Sequence, residues 1–179
     1  MIPRHRFGRA RAFTLVELLV VIGIISLLVG ILVPVVGRAR ASGHSVACLA
    51  NLRQIGIAFH SYADANRGML PDPAAIQESW ESMLRDHLSN REVFHCMSDG
   101  GLFDKLRSSY DWRDTGNPHT TIAGRMLVEV RRSDAVMAFD ALPDWHATGR
   151  INAVRVDTSV ESMLHQDCLK DLEQPVDRR

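Results

Sequence analysis

Cysteines, histidines and carboxylates are the residues of this chain with chemistry to offer, and their spacing excludes more than it supports. Cys48, Cys96 and Cys168 stand far apart, with no CxxC pair of the kind that zinc ribbons and thioredoxin-like redox sites use. Three thiols allow at most one intramolecular disulfide, which makes sense only outside the cytoplasm; otherwise they read as small buried hydrophobes. Eight histidines are present, yet there is no HExxH pair, no Gly-x-Ser-x-Gly elbow and no P-loop. His95 and Cys96 are neighbours, so on a strand they point to opposite faces and do not form a base and nucleophile. Asp140, Asp144, His146, Asn152 and Asp157 lie in the last third. Their oxygens suit a hard cation, and they equally suit turn caps and solvated strand ends. No catalytic set emerges, and the chain is not expected to be an enzyme.

Glu17 is different because of its company. From Leu18 to Val36 the sequence holds 19 consecutive uncharged residues, mostly Leu, Val and Ile. Counted from Phe13, a helix of 24 residues would be about 36 Å long, enough to cross a hydrocarbon core of roughly 30 Å. The stretch lacks the polar stripe of a soluble core helix. A carboxylate so close to the membrane core is costly and marks a functional position by default. Pro34 removes one helical hydrogen bond and is expected to kink or loosen the span. Ser26 and Gly30 allow close helix approach, or are simply small residues of a membrane helix.

Ahead of the span, Arg4, Arg6, Arg9 and Arg11 form an acid-free basic leader over residues 1–12. The whole chain has 21 basic and 21 acidic residues; taking the four leader arginines away leaves 17 against 21. That mildly acidic balance gives no case for nucleic-acid binding. An ordinary secretory signal puts its cleavage site after the apolar stretch. Here the basic leader runs directly into Phe13-Thr14-Leu15-Val16-Glu17-Leu18-Leu19-Val20-Val21-Ile22.

That segment closely resembles the start of type IV pilins and type II secretion pseudopilins. The resemblance implies a cut by prepilin peptidase between Ala12 and Phe13, with methylation of the new amino terminus; the family usually has Gly where this chain has Ala12. It implies that Glu17, the fifth mature residue, pairs with the free amine of a neighbouring subunit's Phe13. Pro34 falls where the family commonly has its helix-perturbing proline. Phe13, Glu17 and Pro34 are thus the expected assembly residues, and the expected partners are prepilin peptidase, other pilin-like subunits and the bacterial inner membrane. The amino terminus would be cytoplasmic and the residues beyond the span extracytoplasmic. A tethered binding module that uses this route without polymerising is the alternative.

Beyond Gly37, Val46, Leu49, Leu52, Ile55, Phe59 and Tyr62 recur every three or four residues, which predicts an amphipathic helix that ends near Asn66-Arg67-Gly68. The stretches Cys48-Leu49-Ala50-Asn51-Leu52-Arg53-Gln54-Ile55-Gly56 and Tyr62-Ala63-Asp64-Ala65-Asn66-Arg67-Gly68 resemble a large bacterial subfamily of pseudopilin-like proteins. In that subfamily a second cysteine often sits in a Cys-Pro-Ser-Asp context, matched here by Cys96-Met97-Ser98-Asp99. The resemblance implies a Cys48–Cys96 disulfide with Cys168 free. Some major pseudopilins bind calcium in a carboxyl-terminal loop, which makes Asp140, Asp144, Asn152 and Asp157 the calcium candidates; no other cofactor is expected.

Asp72-Pro73 opens a predicted helix through Ile76, Trp80, Met83, Leu84 and Leu88. Residues 98–119 read as loop anchored by Tyr110 and Trp112. Met126 to Val130, Ala135 to Phe139 and Ile151 to Val156 read as strands, and Ser159 to Leu172 as a terminal helix. The expected layout is a leader at 1–12, a transmembrane helix at 13–36, an extracytoplasmic domain at 37–172 and a polar, disordered tail at 173–179. A long amino-terminal helix laid on a small antiparallel sheet is the α+β fold that the resemblance implies.

Overall fold

The computed structural model describes residues 14–146 and 149–177. The chain forms two compact units, Met1–Arg40 and Ala41–Arg179. Helix α1 runs from Leu15 to Ala65 and continues through Pro34. Its large apolar side chains from Leu15 to Val36 are between 40% and 79% exposed. From Cys48 onward the same helix has a buried face made by Cys48, Leu52, Ile55, Gly56, Ala58, Phe59 and Ala63. The sequence therefore divides one helix into an apolar span without a polar stripe and an amphipathic half with a core-facing one.

α1 stops in a Schellman arrangement. Arg67 takes a left-handed backbone (φ 57°), and the Gly68 N–H donates to the Ala63 carbonyl at 2.7 Å. Asp72 then caps α2 (Pro73–Ile76) by accepting from the Ala75 N–H at 3.0 Å, with Pro73 in the first turn. The helix expected to continue to Leu88 breaks instead. Gln77 is left-handed (φ 60°), and Ser79 caps a new helix, α3 (Trp80–Leu84), by accepting from Ser82 N–H. The break turns Trp80 inward, where its ring stacks on Phe59 (centroids 5.7 Å) and meets Phe94 edge-on (5.2 Å). Trp112 completes the group, stacking 5.3 Å from Phe59 and 6.1 Å from Trp80. Each such ring contributes about 1.5–3 kcal/mol by leaving water.

Residues 98–119 are not the plain loop expected. They contain a short helix α4 (Leu102–Leu106) and a strand β1 (Tyr110–Trp112). β2 (Val136–Asp140), β3 (Arg150–Arg155) and β4 (Val160–Leu164) complete an antiparallel sheet of order β1-β2-β3-β4. The register pairs Asp111 with Phe139, Phe139 with Ala153, and Ala153 with Glu161. The predicted helix from Ser159 to Leu172 is half strand: β4 pairs with β3, and only His165–Leu172 is helical, as α5. Met126 to Val130 is not a strand but one bridge, Met69 to Met126, and a turn of tight helix at Leu127–Glu129.

α1 approaches the sheet closely at Gly56. A Cβ there would lie 2.8 Å from Val154 Cγ2 on β3, so the contact tolerates no side chain without movement. The segment after α5 is also held. Val176 is fully buried, its N–H donates to the His119 carbonyl, and its own carbonyl accepts from Arg131 N–H. The disorder expected of residues 173–179 does not extend to Val176, because an apolar side chain and both of its backbone groups find partners.

Candidate functional site

Three places concentrate the chemically capable side chains among the described residues: the start of α1, the Cys48–Cys96 junction, and a buried charge cluster around Asp171 of α5.

At the start of α1, Glu17 and Thr14 form a reciprocal cap. Thr14 donates to Glu17 Oε2 through its backbone N–H (2.9 Å) and its hydroxyl (2.7 Å), and the Glu17 N–H donates back to Thr14 Oγ1 (3.2 Å). This is a capping box: two of the helix's unpaired amino-terminal donors are satisfied by side chains three residues apart. The carboxylate is thereby held back along the helix toward its first residue. Thr14 was not singled out from sequence, although a Thr three residues before a Glu and ahead of an apolar run is the signal for it. Ala12 and Phe13, the expected processing residues, lie outside the described residues. Pro34 sits inside α1, its carbonyl accepting from Arg38 Nε at 3.4 Å.

With a capped carboxylate at its head and some twenty uncovered apolar residues behind it, this segment has a known counterpart. Residues 8–33 match the family described as the prokaryotic N-terminal methylation motif. The chain carries a prepilin-type amino terminus. The motif marks a pilin-like precursor of the kind prepilin peptidase processes, and the exposed apolar half of α1 is its membrane anchor. The long helix on a four-stranded antiparallel sheet is the α+β, pilin-like arrangement that accords with it. No curated protein and no solved structure matches the chain.

In the second unit, Cys48 on α1 and Cys96 are joined as a disulfide with Cα atoms 5.4 Å apart, and Cys168 is free and buried. The residues around the bond explain how the two cysteines come together. Asn51, one turn after Cys48, donates from Nδ2 to the His95 carbonyl at 3.1 Å. Cys96 N–H donates to Ser109 Oγ, and Ser109 Oγ donates to Asp99 Oδ2 at 2.5 Å. Asp99 also accepts from the backbone N–H groups of Gly101, Leu102 and Phe103, which starts α4. Burial alone would raise the Asp99 carboxyl, but these four donors hold it below the usual range. The Asp99 of Cys96-Met97-Ser98-Asp99 is therefore a turn and helix cap that fixes where Cys96 stands.

Beside the bond lies His146, with Nε2 3.3 Å from Cys96 Sγ and Nδ1 3.3 Å from Ser98 Oγ. Asp140 Oδ2 is 3.6 Å from the same Nε2 and accepts from the Asn152 N–H at 2.7 Å. Asp140 is 1% exposed, and burial pushes its carboxyl up to about 7 against the pull of that one N–H. Burial, and secondarily His44, push the His146 imidazole down. Both groups are driven toward their neutral forms.

Of the four calcium candidates, Asp140 and Asn152 are joined directly, the Asn152 N–H donating to Asp140 Oδ2. Asp144, with a left-handed backbone (φ 68°), accepts from Gly149 N–H across the turn between β2 and β3. Asp157 lies at the opposite end of β3, where it closes the turn to β4 by accepting from the Ser159 N–H and hydroxyl. The extended strand between Asn152 and Asp157 sets Asp157 away from Asp140 and Asn152.

The third cluster has no signature in the sequence. Arg113 is fully buried, and its guanidinium donates to the carbonyls of Thr120, Val136, Asp171 and Gln174 and to Asp171 Oδ1 at 2.6 Å. Arg132 Nη2 lies 2.6 Å from Asp171 Oδ2, and Val136 N–H donates to Oδ1 at 2.9 Å. Burial would raise the Asp171 carboxyl, yet the donors from Val136, Arg132 and Arg113 take it below its ordinary value. The set is arranged as structure: among the described residues, each guanidinium hydrogen bond of Arg113 goes to a backbone carbonyl or to the Asp171 carboxylate.

Proposed function

We propose that this chain is a structural pseudopilin-like subunit, cut between Ala12 and Phe13, methylated on Phe13 by prepilin peptidase, and assembled through α1 into a type II secretion pseudopilus or a type IV pilus-like filament. The observation that carries the reading is the junction of the methylation motif at residues 8–33 with an exposed apolar helix whose carboxylate is aimed back toward its start. In a bilayer an isolated Glu17 and an isolated ammonium on Phe13 are each costly, and staggered neighbouring subunits relieve both at once. The Thr14 hydroxyl and N–H hold Glu17 in readiness until such a neighbour arrives. The domain from residue 41 onward is then displayed on the extracytoplasmic side of the inner membrane, and the role is one of packing, not catalysis.

The test is Glu17→Ala in a host carrying the cognate peptidase. Mass spectrometry of the mature protein should still find methylated Phe13, and the variant should still insert in the membrane. Subunit–subunit cross-links through α1 should be lost. Cross-linking equal to that of the parent chain would refute assembly through Glu17, and an unprocessed Met1 would refute the whole reading.

A further inference from the structure

The Cys48–Cys96 junction holds more donors than a disulfide needs. The ligand atoms of Cys48, Cys96 and His146 all lie within 4.8 Å of one another. Asp140 Oδ2 is 3.6 Å from His146 Nε2, and Asp140 Oδ1 is buried with no hydrogen-bond partner. Cys48 and Cys96 are fully buried, and the side chains of His146 and Asp140 are nearly so. A buried carboxylate oxygen without a donor is costly and asks for a partner. Two sulfurs, one imidazole and one carboxylate are the donor types of a four-coordinate zinc site. Tetrahedral zinc with bonds of about 2.3 Å to sulfur and about 2.0 Å to nitrogen sets those two ligands roughly 3.6 Å apart. The sulfur-to-Nε2 distance in the structure is 3.3 Å. In the tautomer whose Nδ1–H donates to Ser98 Oγ, the Nε2 lone pair faces Cys96 and Asp140, as an oriented ligand requires.

We propose that the dithiol form of this junction is a zinc site, with Cys48, Cys96, His146 and Asp140 as ligands, so that its oxidation state exchanges a covalent staple for a metal one. Opening the site takes two electrons. A dithiol supplies them with two protons, becomes a disulfide itself, and leaves Cys48 and Cys96 as thiols. Zinc then displaces those two protons as both sulfurs bind as thiolates. The metal enters only after the sulfur–sulfur bond is gone, because bonded sulfurs offer no thiolate. This inference concerns the second unit alone and stands or falls independently of filament assembly.

The experiment uses the full chain in detergent with Cys168→Ser, so that the pair supplies the only thiols. The bond is reduced in urea by a phosphine, which takes up oxygen from water while the two protons go to sulfur, and the chain is refolded with Zn2+ or with Co2+. One zinc per reduced chain after desalting, none on the oxidised chain, and thiolate-to-cobalt charge-transfer bands are expected. His146→Ala and Asp140→Ala, reduced in the same way, should each bind at least tenfold more weakly. If the reduced chain folds only with metal, the return of buried-tryptophan fluorescence on zinc addition is the supporting result. No zinc on the reduced chain, equal zinc on the oxidised chain, parental affinity in either variant, or failure to fold even with zinc would overturn the proposal.

Discussion

Replacing Asp171 with Asn probes the buried charge cluster, because the side chain keeps its shape, loses its charge and exchanges one acceptor oxygen for an amide donor. In the folded protein Asp171 accepts from Arg113, Arg132 and Val136 at 2.6, 2.6 and 2.9 Å. An Asn can serve the Arg113 and Val136 side with its one oxygen, but it then presents an amide donor to the guanidinium of Arg132. Two buried cations lose their common counter-ion. Removing one partner of a buried pair costs about 3–5 kcal/mol, and the slight exposure of Arg132 places this case near the lower end. The assay is urea unfolding of the full, disulfide-intact chain in detergent, followed by the fluorescence of Trp80 and Trp112, which are buried around Phe59. At pH 7 the expected loss for Asp171→Asn is about 3 kcal/mol. The folded carboxyl titrates below its ordinary value, so its contribution is fully present above the ordinary carboxylate range and disappears as pH falls through the folded value. The gap between the two proteins must therefore narrow in acid. A loss under about 1 kcal/mol at pH 7, or a gap unchanged down to about pH 2, would refute the assignment of Asp171 as the charge that makes Arg113 tolerable in the core.

Other outcomes follow from close contacts. Gly56→Ala gains about 1 kcal/mol of helix propensity but drives a Cβ to 2.8 Å from the buried Val154, where overpacking costs about 1–3 kcal/mol; a net loss of about 1 kcal/mol is expected by the same unfolding assay. Cys168 is buried, and burial pushes its thiol up to about 12, so iodoacetamide at about pH 8 should leave it unmodified in the native chain and label it fully in urea.

The amphipathic half of α1 was legible because its core-facing residues recur at helical spacing and its end carries Asn66-Arg67-Gly68, where the left-handed turn forms. β2 and β3 were legible as short apolar runs. β4 was not, since Val160, Met163 and Leu164 satisfy helical spacing as well as a strand. What decides for the strand is pairing with β3 from Arg150↔Leu164 to Val154↔Val160, a tertiary fact that periodicity does not contain. β1 was hidden in a polar segment because Tyr110-Asp111-Trp112 is only three residues long. The prepilin motif could be read from order alone: basic leader, Phe13, Glu17, apolar run. Arg113 could not, because an arginine among Asp, Thr and Gly looks solvated until Asp171, 58 residues later, is folded against it.

The cysteine pair also bears on how the domain carries load. Cys48 is the first buried residue of α1, so tension drawn along that helix meets a covalent bond at the edge of the core before it can act on the aromatic packing behind it. The two cysteines are 48 residues apart, and a chain of that length could otherwise pay out about 160 Å under a pull. With the bond closed that slack is removed, and force passes from the helix to the 95–99 segment and on through Ser109 into the sheet. A domain built this way yields by a short, stiff displacement in place of unravelling.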